Sequence, residues 1–141
     1  MNSITLNADL AAVSRLVVEG AMLVYTFAFL SFAFHLSQLA STKKSVRAGA
    51  SRLEKVGIAL LIFAAAIHGV GMTLRGISAS RVPWANMYEF SITGSFIVVF
   101  IFLLALTIKD IRLIATFVTG FTLLVLGVAD TIFYVEVKSL M

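Results

Sequence analysis

Few residues in this chain could do chemistry. There are two histidines, His35 and His68. An imidazole can move a proton, bind a metal or ligate a haem iron. There is no cysteine. That excludes disulfides, thiolate metal sites, cysteine nucleophiles and a Cys-x-x-Cys-His haem attachment site within the chain. Glu19 and Asp130 are acidic residues in otherwise apolar stretches. The densest segment reads LRGISASRVPWANMYEF and carries Arg75, Arg81, Trp84, Tyr88 and Glu89. Arg75 and Arg81 could meet carboxylates, while Trp84, Met87 and Tyr88 could meet a planar apolar face. A flat, acidic amphiphile suits that set. Haem with its propionates, a lipid headgroup and a quinone all fit the description.

The elements that must position these residues are membrane helices. Of 141 residues, 60% are apolar and 13% charged, against about 45–50% and 25% in soluble domains. The apolar residues form four long stretches, at 16–40, 56–74, 90–108 and 111–134. Each is long enough to cross a hydrocarbon core of ~30 Å at ~1.5 Å per residue. Strand-like alternation is absent, so an all-α integral membrane protein with a single transmembrane region over 1–141 is expected. The first stretch is longer than the apolar part of a secretory signal and lacks a cleavage site, so it is read as a retained span. The 42–55 segment, STKKSVRAGASRLE, reads as a polar hairpin connection.

Lysines and arginines give the expected orientation. Lys43, Lys44, Arg47, Arg52, Lys55, Lys109 and Arg112 fall on one side; Arg15, Arg75, Arg81 and Lys138 fall on the other. The richer set is expected on the cytoplasmic side, with both termini and the 75–89 segment outside. The net charge of +4 then reflects membrane topology, and nucleic acid is not an expected partner. The lipid bilayer is.

Within this frame His68 stands in span two, ~18 Å above Val56 and in the outer half. An ionisable residue inside a span is a candidate ligand or proton relay. The competing reading is a neutral imidazole hydrogen-bonded to a neighbouring helix, with Gly69 and Gly71 allowing close approach. His35 lies about 10 Å lower by the same rise, so the two histidines are not expected to share one iron. It reads as an interfacial histidine near Ser37 and Gln38. Glu19 and Asp130 are expected in outer portions, solvated or bonded to a neighbouring helix. Arg75 and Glu89 could pair across the mouth of spans two and three. Pro83 ends any helix, Asn86 can cap the next, and Trp84 and Tyr88 suit the headgroup level. Gly94, Gly120 and Gly127 read as helix-contact positions.

The runs His68–Gly76, HGVGMTLRG, and Arg81–Phe90, RVPWANMYEF, resemble the N-terminal region of the CcsA/CcsB/ResC-type (System II) cytochrome c biogenesis proteins, in particular the actinobacterial CcsB-like form. The specific part is Arg81–Phe90, and a looser likeness runs from about residue 56 onward. The resemblance implies a plasma-membrane protein that handles haem and brings it to the outer face. There the haem is joined to the Cys-x-x-Cys-His motif of an apocytochrome c. It also implies a ResB-like membrane partner, with the reacting thiols belonging to the apocytochrome. The haem-facing set it points to is His68, Arg75, Arg81, Trp84, Tyr88 and Glu89.

Two departures shape that expectation. Many relatives carry histidine in a Gly-His-x-Pro sequence where this chain has Arg81, so an external haem-ligand role is not carried over. The family's tryptophan-rich WWD segment and later histidines have no counterpart here. The chain is therefore expected to correspond to the front half of such a protein and not to complete a haem-ligation site by itself. The alternative is a noncatalytic accessory or assembly subunit of a membrane, for instance respiratory, complex. A transporter is the weaker third reading, because the spans lack a charged line and broken helices.

Overall fold

The computed structural model describes residues 3–40, 44–79 and 86–133. Helix α1 covers Ser3–Leu39, α2 covers Lys44–Ala79 and α3 covers Met87–Leu106. A single 3-10 turn, Arg112–Ile114, leads into α4, Ala115–Val128, which ends in a π-helical turn at Ala129–Phe133. Four stretches of helix, within 9–39, 52–78, 87–106 and 115–133, are long and apolar enough to cross a membrane. The fold is all-α and that of a multi-pass membrane protein.

The helix limits differ from those expected of the apolar stretches. Helix α1 begins at Ser3, well before residue 16, and α2 takes in most of the 42–55 segment expected as a hairpin connection. That segment is polar, but its Lys, Arg, Ala, Glu and Leu are good helix formers and it holds no proline. Polarity marked the edge of the apolar span there, not the edge of the helix. Helix α3 starts at Met87 because Asn86 caps it: backbone at φ −135 and ψ 175, with its Oδ1 accepting from the Glu89 N–H at 2.8 Å.

Burial follows one rule in all four helices. Helix α1 buries Ala11, Ser14, Val18, Ala21, Tyr25, Ala28, Phe32 and His35. Helix α2 buries Glu54, Gly57, Leu61, Ala64, His68, Gly71, Arg75 and Ser78. Helix α3 buries Tyr88, Ile92, Ser95, Val99 and Phe102, and α4 buries Ala115, Thr119, Thr122, Leu126 and Ala129. The steps alternate three and four, the seven-residue repeat of left-handed helix packing.

The seam between α1 and α2 is antiparallel and close. A Cβ on Gly71 would stand 2.7 Å from Val18 Cγ2 and 3.3 Å from the Val18 backbone nitrogen. A Cβ on Gly57 would stand 2.7 Å from the Phe32 ring. These two glycines let the helices touch along their length, and Ser14 Oγ donates to the Gly71 carbonyl at 2.6 Å. Gly120 likewise faces Phe29 of α1, where a Cβ would lie 3.1 Å from the ring. Gly94 and Gly127 meet nothing within 4 Å; their expected contact role is not realised.

Outside the seam the chain is apolar. Phe27, Phe34, Phe63, Phe90, Phe117, Leu124 and Ile132 all point outward and are more than half exposed. Polar groups are buried between helices while large hydrophobics face out, the arrangement a lipid solvent selects. Contacts between Arg15 and Asp130 and between Phe29 and Gly120 set α4 antiparallel to α1. The start of α1, the end of α2, the start of α3 and the end of α4 therefore gather at one end. Arg52, Lys55 and Lys109 lie exposed toward the other.

Candidate functional site

The polar groups of the interior fall in layers along the bundle. At the α2–α3 mouth, Arg75 Nε donates to Glu89 Oε1 at 3.1 Å, with side chains 1% and 0% exposed. The expected pairing of Arg75 with Glu89 is present, and it is buried. The Arg75 guanidinium carbon also lies 5.0 Å from the centroid of the Tyr88 ring, within cation–π range. The local sequence explains the gathering. Asn86 starts α3 two residues before Tyr88 and three before Glu89, and both residues land on the buried stripe. Ser78, one turn beyond Arg75, donates to the Arg75 carbonyl at 2.9 Å and secures the end of α2.

Two turns deeper, ~10 Å along α2, His68 is fully buried. Its Nδ1 lies 2.9 Å from the Tyr25 hydroxyl and its Nε2 lies 2.8 Å from the Ile92 carbonyl. A carbonyl only accepts, so Nε2 carries the proton and Nδ1 accepts from the phenol. The imidazole is a bridge joining α1, α2 and α3. Tyr25 and Phe96 stand edge-on to it, with ring centroids at 5.7 Å and 5.5 Å.

A second layer at the same end ties α1 to α4. Arg15 Nε lies 3.0 Å from Asp130 Oδ1 and 3.3 Å from Glu19 Oε1, and Nη2 donates to the Asp130 carbonyl at 3.1 Å. The π turn places Asp130 so that one guanidinium reaches both its carboxylate and its carbonyl. Glu19 and Asp130 thus share Arg15, a partner that composition alone did not single out. At the far end His35 Nε2 lies 3.0 Å from Glu54 Oε2, with side chains 4% and 12% exposed. His35, expected near the membrane interface beside Ser37 and Gln38, is buried between α1 and α2, where the early start of α2 brings Glu54 beside it.

His68 and His35 occupy different layers, ten residues apart along α1 when measured from Tyr25 to His35, or ~15 Å. Of the expected site residues, Arg75, Tyr88 and Glu89 come together where the end of α2 meets the start of α3, and His68 lies two turns away along the same α2–α3 contact. Arg81 and Trp84, the remaining two, lie outside the described residues, as does Pro83. Among the described residues no three metal-ligating side chains converge. Chemically, the arrangement offers a buried cation–carboxylate pair against an aromatic face, above a neutral imidazole of fixed tautomer.

These features define a four-helix membrane protein with a polar, layered interior. No family model matches the chain, and no curated protein or solved structure matches it.

Proposed function

We propose that this protein handles haem in System II cytochrome c maturation, as the front portion of a CcsB-like assembly, with its α2–α3 mouth on the outer face of the plasma membrane. The observation that carries this reading is the sequence likeness over His68–Gly76 and Arg81–Phe90. The geometry supports it in one respect: Arg75, Tyr88 and Glu89 are neighbours at that mouth, and His68 lies two turns below them on the same buried stripe of α2. The excess of Lys and Arg at the opposite end supports the orientation.

The residues suit the cofactor on defined terms. To ligate iron, His68 would give up its Nε2 bond to the Ile92 carbonyl and carry its proton on Nδ1 instead, with the Tyr25 hydroxyl turned to accept from it, and Arg75 would hold a propionate in competition with Glu89. Bound haem would supply the macrocycle to be attached to an apocytochrome, with a ResB-like partner completing the machinery. In the source organism, deleting the gene is expected to abolish covalently attached haem in c-type cytochromes. The wild-type gene should restore it and an Arg75→Leu copy should not. Normal levels of haem-stained cytochrome c in the deletion strain would refute the reading.

A second reading has its own observation. Arg75 is paired with Glu89, and both ring nitrogens of His68 are engaged by Tyr25 and the Ile92 carbonyl, which suits a noncatalytic accessory subunit that needs no ligand. Comigration with a respiratory complex on native gels, in a strain with normal c-type cytochromes, would favour it.

A further inference from the structure

A groove of about 560 Å³ runs along the outer surface between α2 and α3. Ala65, Gly69, Met72, Thr73 and Phe96 are among its walls. These α2 residues are the near neighbours of His68 in the helix, three before and one, four and five after it. The imidazole itself does not line the groove. Between the two stands Phe96: one wall of the groove and, edge-on, the aromatic neighbour of His68 at 5.5 Å.

The ring is held there by shape. Gly69 leaves room for it, since a Cβ at that position would lie 3.1 Å from Phe96 Cε2 and 3.4 Å from Cζ. Phe100 stacks with it at 6.0 Å and 20°. Phe96 is only partly buried and no hydrogen bond fixes it, so a change of its χ1 rotamer toward the lipid displaces no polar group. The groove opens outward through exposed Ala66, Val70 and Thr73. The Thr73 hydroxyl is turned back onto the Gly69 carbonyl at 2.8 Å, which keeps the wall apolar.

We propose that the α2–α3 groove is a lipid-side entrance to His68 and that the Phe96 ring is its door. The route admits an apolar, planar amphiphile from the bilayer, without passage through the aqueous mouth at Arg75 and Glu89. It deepens the haem reading by naming how such a ligand would arrive.

The test measures access to His68 without haem. Protein in lipid nanodiscs is treated with diethyl pyrocarbonate, and modification of the two histidines is followed by peptide mass spectrometry. His35, in another layer, is the internal control. In Phe96→Ala the His68 rate is expected to rise about tenfold, the scale expected when a reaction no longer waits on a rare local opening, while His35 is unchanged. Phe96→Leu should fall between, and Phe96→Trp, which keeps the door shut, should match wild type. Equal His68 rates in wild type, Phe96→Ala and Phe96→Leu would overturn the proposal. So would a parallel rise at His35, which would mean general loosening. Because no haem is present, failure here removes the door alone, whereas failure of the cytochrome experiment removes the haem reading alone.

Discussion

Arg75→Leu is expected to lower the unfolding free energy by about 3–5 kcal/mol, the scale for stranding one member of a buried ion pair. The pair is 1% and 0% exposed, so solvent screening offers little relief. The Glu89 carboxylate would lose the guanidinium at 3.1 Å while remaining buried. Glu89→Leu should be comparably damaging, because the guanidinium would then stay buried over Tyr88 without its carboxylate partner. The double variant Arg75→Leu/Glu89→Leu should recover most of the loss, since two apolar side chains suit the interior of a membrane bundle. Denaturation in detergent micelles, followed by far-ultraviolet circular dichroism, would give the double-mutant cycle. Losses that simply add would show that the two residues do not act as a pair. Arg75→Lys should be intermediate, because an ammonium keeps the charge but not the planar group that lies against Tyr88.

The second large effect is expected at His68. Removing the imidazole in His68→Ala leaves a cavity between three helices and strands the Tyr25 hydroxyl, together costing about 3 kcal/mol. Little of this comes from the Ile92 carbonyl, which also accepts from Ser95 Oγ at 3.2 Å. Tyr25→Phe should cost about 1–2 kcal/mol, because it takes the donor from Nδ1 and leaves the packing intact. Combining Tyr25→Phe with His68→Ala should cost little more than His68→Ala alone, since the stranded hydroxyl is gone. If His68→Ala unfolds at the same denaturant concentration as wild type, the imidazole is not the bridge described here.

The sequence made the architecture legible because hydrophobic length alone decides it: each of the four apolar stretches falls on a helix able to span. It also made the mouth legible. Arg75 and Glu89 are 14 residues apart, at the end of α2 and the start of α3, so their pairing follows from closeness in the sequence. Asn86 as a cap is equally local.

What was harder to read is long-range or masked by apolarity. Arg15 and Asp130 are 115 residues apart, and no local pattern links them. The π turn that presents Asp130 has no evident sequence signature. The His35–Glu54 contact was hidden because the 42–55 segment reads as a polar connection, whereas α2 continues through Glu54. The buried stripe of α2 was present in the sequence as Glu54, Gly57, His68, Gly71, Arg75 and Ser78 at heptad spacing. In a membrane helix the apolar residues lie on every face, so small and polar residues mark the packed side. Reading those would have exposed the α1–α2 seam, and with it the reason Gly71 rather than Gly127 is a contact glycine.

The central claim, haem held along the α2–α3 contact between Arg75 at the mouth and His68 two turns below it, is tested most directly by a visible spectrum. Protein in nanodiscs is titrated with ferric haem, and the Soret band is followed in wild type, His68→Ala and Arg75→Leu. The account predicts a saturable, red-shifted Soret band of imidazole-ligated haem in the wild type. His68→Ala should lose the shift, and Arg75→Leu should keep its shape but need more haem to saturate. The same band in wild type and His68→Ala, or no saturable band at all, would contradict the account.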